Sequence, residues 1–447
     1  MNKNIVIIGG GISGLSVLHF LKKKYAGRSD VRIRLLEKNA GIGGTIATTI
    51  RDGCLFESGP NGFLANQDAT LELIHDLGLD AQVISANESA KKRFVLVDGK
   101  LHQFPMSPAA LFGFKPMRFL EKLRVFAEPF IFKGEEENET VFDFACRRFG
   151  SAVARYFTDP MVSGIYGGDS DFLSVRAAFP KLYAWEQKYG SVMIGMIRSR
   201  GKHKLKAGLK SFRSGMGQLV GVLAEKYHDA IQTGEEVKSV LRAGEGFVVV
   251  TSNDKYAADE LFLAAPAYVA GELLGTLNAD LGQALCSIDY APIAVFGLVY
   301  ERSVFKKLPQ GFGYLIPSSE ETPILGVLIE SQVYEGRASA DKVLIRVMIG
   351  GSRYPEYIKK SKDDLLQLAR QEVEKRFDGF MPPAEHFFVS YAKAIPQYET
   401  QYPVLKKRIA SGLAAFPHLH LTANYWNGVS MNDCVANAKN VVERLNI

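Results

Sequence analysis

The sequence predicts a mixed α/β (α+β) chain. It is built on a Rossmann-like dinucleotide-binding domain that is discontinuous in sequence, with a mixed-sheet second domain and a helical subdomain. Three observations carry this. The apolar run Ile5 to Ile8 leads into Gly9, Gly11 and Gly14 at GxGxxG spacing, then into Leu15, Leu18 and Leu21 at helical spacing. A second apolar strand, Val31 to Asn39, ends with Glu37 at the distance where an acid meets ribose hydroxyls. Far along the chain, the strand-rich stretch Glu235 to Ala267 closes on "LFLAAPA", which reads as a return to the first sheet.

Each glycine of the fingerprint has its reason. Gly9 permits the tight turn, Gly11 lets backbone approach a pyrophosphate, and Gly14 lets helix and strand pack closely. The helix N-terminus then meets the phosphates. Strand-rich sequence from Tyr290 to Gly351 and a helix from Lys362 to Phe377 form the second domain. The expected units are residues 1–85, 210–288 and 400–447 for the dinucleotide domain, 86–103 and 289–399 for the substrate domain, and 104–209 for the helical subdomain.

Composition sets the class. The 447 residues are 47% hydrophobic, enough for about three domain-sized units. No apolar run reaches the roughly 18–20 residues needed to span a bilayer, and the chain enters a strand without a signal peptide, so a cytoplasmic protein is expected. Cys54, Cys146, Cys286 and Cys434 lie far apart, and the eight histidines show no HxH or HExxH spacing; buried free thiols and no metal site are expected. A net charge of +6 excludes a dedicated nucleic-acid binder.

Local charge says more. Lys188, Arg198, Arg200, Lys202, Lys204, Lys206, Lys210 and Arg213 form a block without Asp or Glu, which can face acidic headgroups, an acidic substrate or solvent. Between Phe104 and Phe132 stand seven phenylalanines with Lys115, Arg118, Lys122 and Arg124. Such a segment either lies in a membrane interface or forms a helical core.

"GIGGT" (Gly41 to Thr45) and "FESGPNGF" (Phe56 to Phe63) resemble the flavin amine oxidase and porphyrinogen oxidase superfamily. "KRFVLVDGKLHQFP" (Lys92 to Pro105), "VSGIYGGDSDFLSVRAAFPKL" (Val162 to Leu182), "GMGQL" (Gly215 to Leu219) and "GFGYLIPSS" (Gly311 to Ser319) resemble its oxygen-dependent, FAD-containing protoporphyrinogen oxidases. The likeness extends to "AIPQYETQYPV" (Ala394 to Val404) and "LTANYWNGVSMNDCVANA" (Leu421 to Ala438), so it covers nearly the whole chain.

The resemblance implies FAD held by Gly9, Gly10, Gly11, Ile12, Ser13 and Gly14, by Glu37 and Lys38, and by Gly43, Gly44 and Thr45. It adds Gly59, Pro60, Asn61 and Gly62, then Val237, Tyr391, Val429, Ser430 and Met431. Arg93 matches a family position suited to pair with a substrate propionate, and Asn61 one beside the flavin and substrate; otherwise these are a surface arginine and a turn residue. Asn432 or Asp433 is expected to cap the final helix, whose dipole stabilises a reduced anionic flavin. The chain departs from the family at Gln401 and Tyr402 (usually Gly-His), at Ala423 (usually Gly) and at Tyr391 (often Trp).

The activity implied is oxidation of protoporphyrinogen IX to protoporphyrin IX in heme biosynthesis: three hydride transfers to flavin N5, with dioxygen as acceptor giving hydrogen peroxide. No side chain is assigned as catalytic. Handover to a ferrochelatase and peripheral contact with the inner face of the membrane come with the resemblance; no nucleic-acid partner is expected. Three alternatives stay open. They are coproporphyrinogen III oxidation to coproporphyrin III, another flavin oxidase or desaturase acting on amines or polyenes, and an idle relative resembling prenyl-protein escort proteins.

Overall fold

The computed structural model describes residues 3–134, 136, 138–199, 208–306, 308–377 and 382–445. Its first sheet has five parallel strands in the order Ile231–Thr233, Val31–Glu37, Lys3–Ile8, Glu260–Leu263 and Leu419–Leu421. The predicted return of "LFLAAPA" is therefore found beside the first strand. Alternate residues feed two cores, as a period of two requires. Ile5, Ile7, Leu35 and Phe262 pack with the helices Ile12–Lys24 and Met431–Arg444, while Val6, Ile8, Leu36 and Leu261 face Val240, Val249 and Leu274. A strand covered on both faces can be apolar at every position, which explains the unbroken run Ile5 to Ile8.

The stretch after Glu235 forms its own antiparallel sheet of Val237–Ala243, Gly246–Thr251 and Lys255–Ala258. The second large sheet has seven strands, in the order Glu385–Pro396, Tyr290–Glu301, Lys342–Gly350, Ile324–Leu328, Gly313–Leu315, Arg93–Val97 and Lys100–Gln103. It is mixed, because Gly313–Leu315 runs parallel to Arg93–Val97 and the other pairs are antiparallel. The helix Lys362–Phe377 covers one face with Leu365, Ala369, Val373 and Phe377, spaced one turn apart. On the other face Val295, Val299 and Leu344 meet Cys54 and Phe56 of the hairpin Thr48–Arg51 and Cys54–Glu57. That hairpin leads directly into "SGPNG".

Residues 108–199 are helical throughout their regular elements, and a buried ion cluster organises them. Glu128 and Arg148 are both fully buried. Glu128 accepts from Arg148 Nε at 2.7 Å, the Ser191 hydroxyl at 2.5 Å, and the N–H groups of Val192 and Met193. Of the seven phenylalanines Phe114 is core, whereas Phe112, Phe119, Phe130 and Phe132 are exposed, so the segment is only partly a helical core. Among the described residues no helix is long and apolar enough to cross a membrane.

Two expectations are corrected. Ser430 caps the final helix, because its hydroxyl accepts the Asp433 N–H and the Asp433 carboxylate accepts back from Ser430, so neither Asn432 nor Asp433 is the cap. All four cysteines are free, but only Cys54 and Cys434 are buried, and Cys286 is exposed. Arg200, Lys202, Lys204 and Lys206 of the basic block lie outside the described residues; Lys210 donates to the Ser85 hydroxyl.

Candidate functional site

The glycine turn follows the first strand and opens the helix Ile12–Lys24. Gly11 is the N-cap and no side chain caps it, which leaves the first-turn N–H groups for an anion. A Cβ at Gly11 would meet nothing within 4 Å, whereas at Gly14 it would stand 2.0 Å from the Gly9 carbonyl oxygen. Open space before Gly11 and close packing behind Gly14 fit a bound pyrophosphate.

Glu37 ends the second strand, and its carboxylate accepts the Gly10 N–H at 2.7 Å and the Asn39 N–H at 2.9 Å. Glu235 donates its N–H to the Glu37 carbonyl, which brings the strand bearing Val237 alongside. Lys38 points to solvent. Gly43, at φ +117°, donates to the Gly10 carbonyl at 2.8 Å, so the "GIGGT" loop lies against the glycine turn. Thr45 touches Gly59, where a Cβ would be 2.3 Å from the Thr45 carbonyl oxygen.

The C-terminal motif closes the ring. Met431 packs in one core with Ile12, Ile46 and Phe63, and Cys434 is buried in the same core. Val429 and Ser430 follow Gly428, whose N–H donates to the Tyr398 hydroxyl at 2.9 Å. Tyr402, which departs from the family pattern, stacks on Tyr398 with centroids 4.3 Å apart and donates to the Tyr425 carbonyl, so it pins the same turn.

Sequence reasoning missed the buried charges around "ESGPNG". Glu57 accepts the Met216 N–H at 2.8 Å and the Thr48 hydroxyl at 2.7 Å, with Arg337 at 3.9 Å. Burial pushes its carboxyl above the ordinary range, outweighing those partners. Arg346 donates to the Gly59 carbonyl at 2.7 Å, and Asn61 Nδ2 lies 3.3 and 3.4 Å from the two Glu330 oxygens. Arg337 donates to the Ser211 hydroxyl, which donates to the Asn61 carbonyl. A charge inside an apolar strand, as in "VLIRVMIGG", was the available signal.

Arg93 starts its strand in register with Gly313, exposed, its guanidinium 5.0 Å from the Phe312 ring centroid. Ile329, next to Glu330, donates to the Phe312 carbonyl, so Arg93 and Asn61 approach one segment from two sides. Tyr391 is half-buried opposite Ile293; burial raises its hydroxyl pKa, and the nearby Arg346 charge opposes this.

Residues 12–446 match the family described as flavin containing amine oxidoreductase, and the chain belongs to it. The protein is thus a flavin-dependent oxidoreductase. The chain is 31% identical over 482 residues to protoporphyrinogen oxidase of Bos taurus, covering 100% of this chain and 98% of the relative. It is 26% identical to coproporphyrinogen III oxidase of Bacillus subtilis (strain 168), covering 98% and 97%. A crystal structure from Exiguobacterium sp. 255-15, provisionally assigned as a protoporphyrinogen oxidase, superposes with a TM-score of 0.84 at 24% identity over 99% and 98% of the two chains.

Proposed function

We propose that the protein oxidises protoporphyrinogen IX to protoporphyrin IX with bound FAD, delivering electrons to dioxygen. One observation carries the substrate: the 31% identity to a protoporphyrinogen oxidase runs through the whole chain. FAD is supported by the uncapped glycine turn and by the acid ending the second strand. When bound, the flavin supplies a two-electron acceptor.

The chain's residues bind and orient. The turn from Gly9 to Gly14 and the loop from Gly43 to Thr45 receive the pyrophosphate, and Glu37 the ribose. Gly59 to Gly62, Tyr391 and Val429 to Met431 surround the ring system. Arg93 over Phe312 offers a cation beside an aromatic surface, suited to a propionate on a flat macrocycle. The gain of aromaticity drives the reaction, so alignment is the chain's main contribution. The five-stranded sheet serves the cofactor unit (1–85, 210–288, 400–447) and the seven-stranded sheet the substrate unit (86–103, 289–399). Exposed Phe119, Leu120, Phe130 and Phe132, with Lys115 and Arg118, support peripheral membrane contact of residues 104–209.

The relative from Bacillus subtilis favours a second reading, coproporphyrinogen III as substrate. Anaerobic mixing of the yellow protein with each porphyrinogen, then admission of oxygen, tests both. Rapid flavin bleaching by protoporphyrinogen IX followed by porphyrin fluorescence supports the first reading; faster bleaching by coproporphyrinogen III supports the second. Bleaching by neither, with bleaching by an amine or polyene, overturns both.

A further inference from the structure

Among the described residues the buried ion pairs differ in tightness. Glu128 and Arg148 are tightly bound, with three further donors on the carboxylate, as a pair that only rivets helices together should be. Glu330 and Arg346 differ. They are 3% and 6% exposed, yet Arg346 Nη1 stands 3.5 Å from Glu330 Oε1, and the Asn61 amide approaches no closer than 3.3 Å. Charge-assisted hydrogen bonds normally run about 2.7–2.9 Å. A loose buried pair contributes little to stability, and apolar replacements of similar size would often serve as well.

Its place in the fold supplies a reason for it. Arg346 lies on the strand Lys342–Gly350, and Glu330 opens the short helix Glu330–Val333 that follows the neighbouring strand Ile324–Leu328, so the seven-stranded sheet positions both. Both reach across to the turn from Gly59 to Gly62, Arg346 through the Gly59 carbonyl and Glu330 through the Asn61 side chain. Tyr334 closes the far side, its hydroxyl donating to the Lys210 carbonyl over Gly62.

We propose that Arg346 and Glu330 are positioning residues for the flavin: from a strand of the seven-stranded sheet and from the short helix after its neighbour they clamp the Gly59–Gly62 turn and set the charge balance that tunes the flavin's affinity and reduction potential. The inference rests on the assignment of that turn to the flavin. Reduction adds negative charge to the ring system, so opposite charges act with opposite sign. Arg346 favours the reduced form, and Glu330 disfavours it.

The test uses full-length holoprotein and spectroelectrochemical titration of its flavin. Glu330→Gln raises the midpoint potential, Arg346→Gln lowers it, and Arg346→Lys, which keeps the charge, stays near wild type. A merely structural role moves no potential according to charge. Shifts of the same sign in both neutral variants, or none in folded holoprotein, overturn the proposal. Because each single variant leaves a buried charge unpaired, the double variant Glu330→Gln/Arg346→Gln provides a second measurement. Its potential returns toward wild type while its flavin Kd rises about tenfold, one lost hydrogen bond to the turn. An unchanged Kd overturns the clamp. Wild-type protein that takes up no flavin defeats the cofactor assignment itself; flavin-loaded wild type with unresponsive variants defeats only this inference.

Discussion

The Glu37 carboxylate accepts the Gly10 N–H at 2.7 Å, joining the end of the second strand to the middle of the glycine turn. One side chain therefore shapes the turn and keeps further acceptor capacity, which the proposed cofactor site would give to a ribose. Glu37→Ala is expected to weaken flavin binding about 10- to 100-fold, the range for lost hydrogen bonds to a charged group. Titration of apoprotein with flavin, followed by fluorescence quenching, reads this out; undiminished affinity would remove Glu37 from the site.

Gly11 and Gly14 differ in what an added side chain would meet. At Gly14 an added methyl would strike the Gly9 carbonyl oxygen, so Gly14→Ala is expected to lose about 1–3 kcal/mol in apoprotein denaturation. At Gly11 it would meet nothing within 4 Å and the backbone φ is −75°, so Gly11→Ala should leave apoprotein stability within about 0.5 kcal/mol of wild type while reducing flavin affinity. Equal stability losses in both would refute the distinction.

The same contrast shows what was legible in the sequence. The strand, turn, helix and acid of the first sixty residues depend on local chemistry, and period and spacing reveal them. So does the helix Lys362–Phe377. Arg346 leaves a local trace, a charge inside an apolar strand, but the partners of Glu57, Glu330, Arg337 and Arg346 do not, because their roles depend on pairing between segments up to about 290 residues apart, which no window of sequence contains. The N-cap was misread for a local reason: Ser430 and Asp433 form a reciprocal box, and either partner alone looks like a cap.

Glu260 carries the clearest pH signature. Burial pushes its carboxyl up, but hydrogen bonds and charges from His420 and Lys3 together outweigh this and hold it at about 2, below its ordinary 4.5. A depressed pKa contributes stability that is complete above the unfolded value and lost as pH falls through the folded one. The contribution, up to about 3 kcal/mol, should therefore be present at pH 7 and disappear between roughly pH 4.5 and 2. Denaturation midpoints of wild type and Glu260→Gln should converge at pH 2 and differ at pH 7. A difference that persists at pH 2 would place the effect in packing.

Phe130 and Phe132 are 85% and 91% exposed, yet arginine side chains hold the backbone of their turn. Arg148 donates to the Ile131 carbonyl at 2.9 Å and Arg147 to the Phe132 carbonyl at 3.1 Å, and both arginines are anchored by buried acids, Glu128, Glu139 and Glu186. Two aromatic rings fixed outward on a preordered turn lose little further backbone entropy on entering an interface. Phe130→Ser/Phe132→Ser should therefore reduce co-sedimentation with anionic phospholipid vesicles severalfold and leave the melting temperature unchanged, because neither ring belongs to the core. Removing an anchor should act the other way. Arg148→Met leaves Glu128 buried and unpaired, at a cost of about 3–5 kcal/mol, and lowers the melting temperature first. If the double serine variant binds vesicles as well as wild type, the exposed rings do not carry the membrane contact.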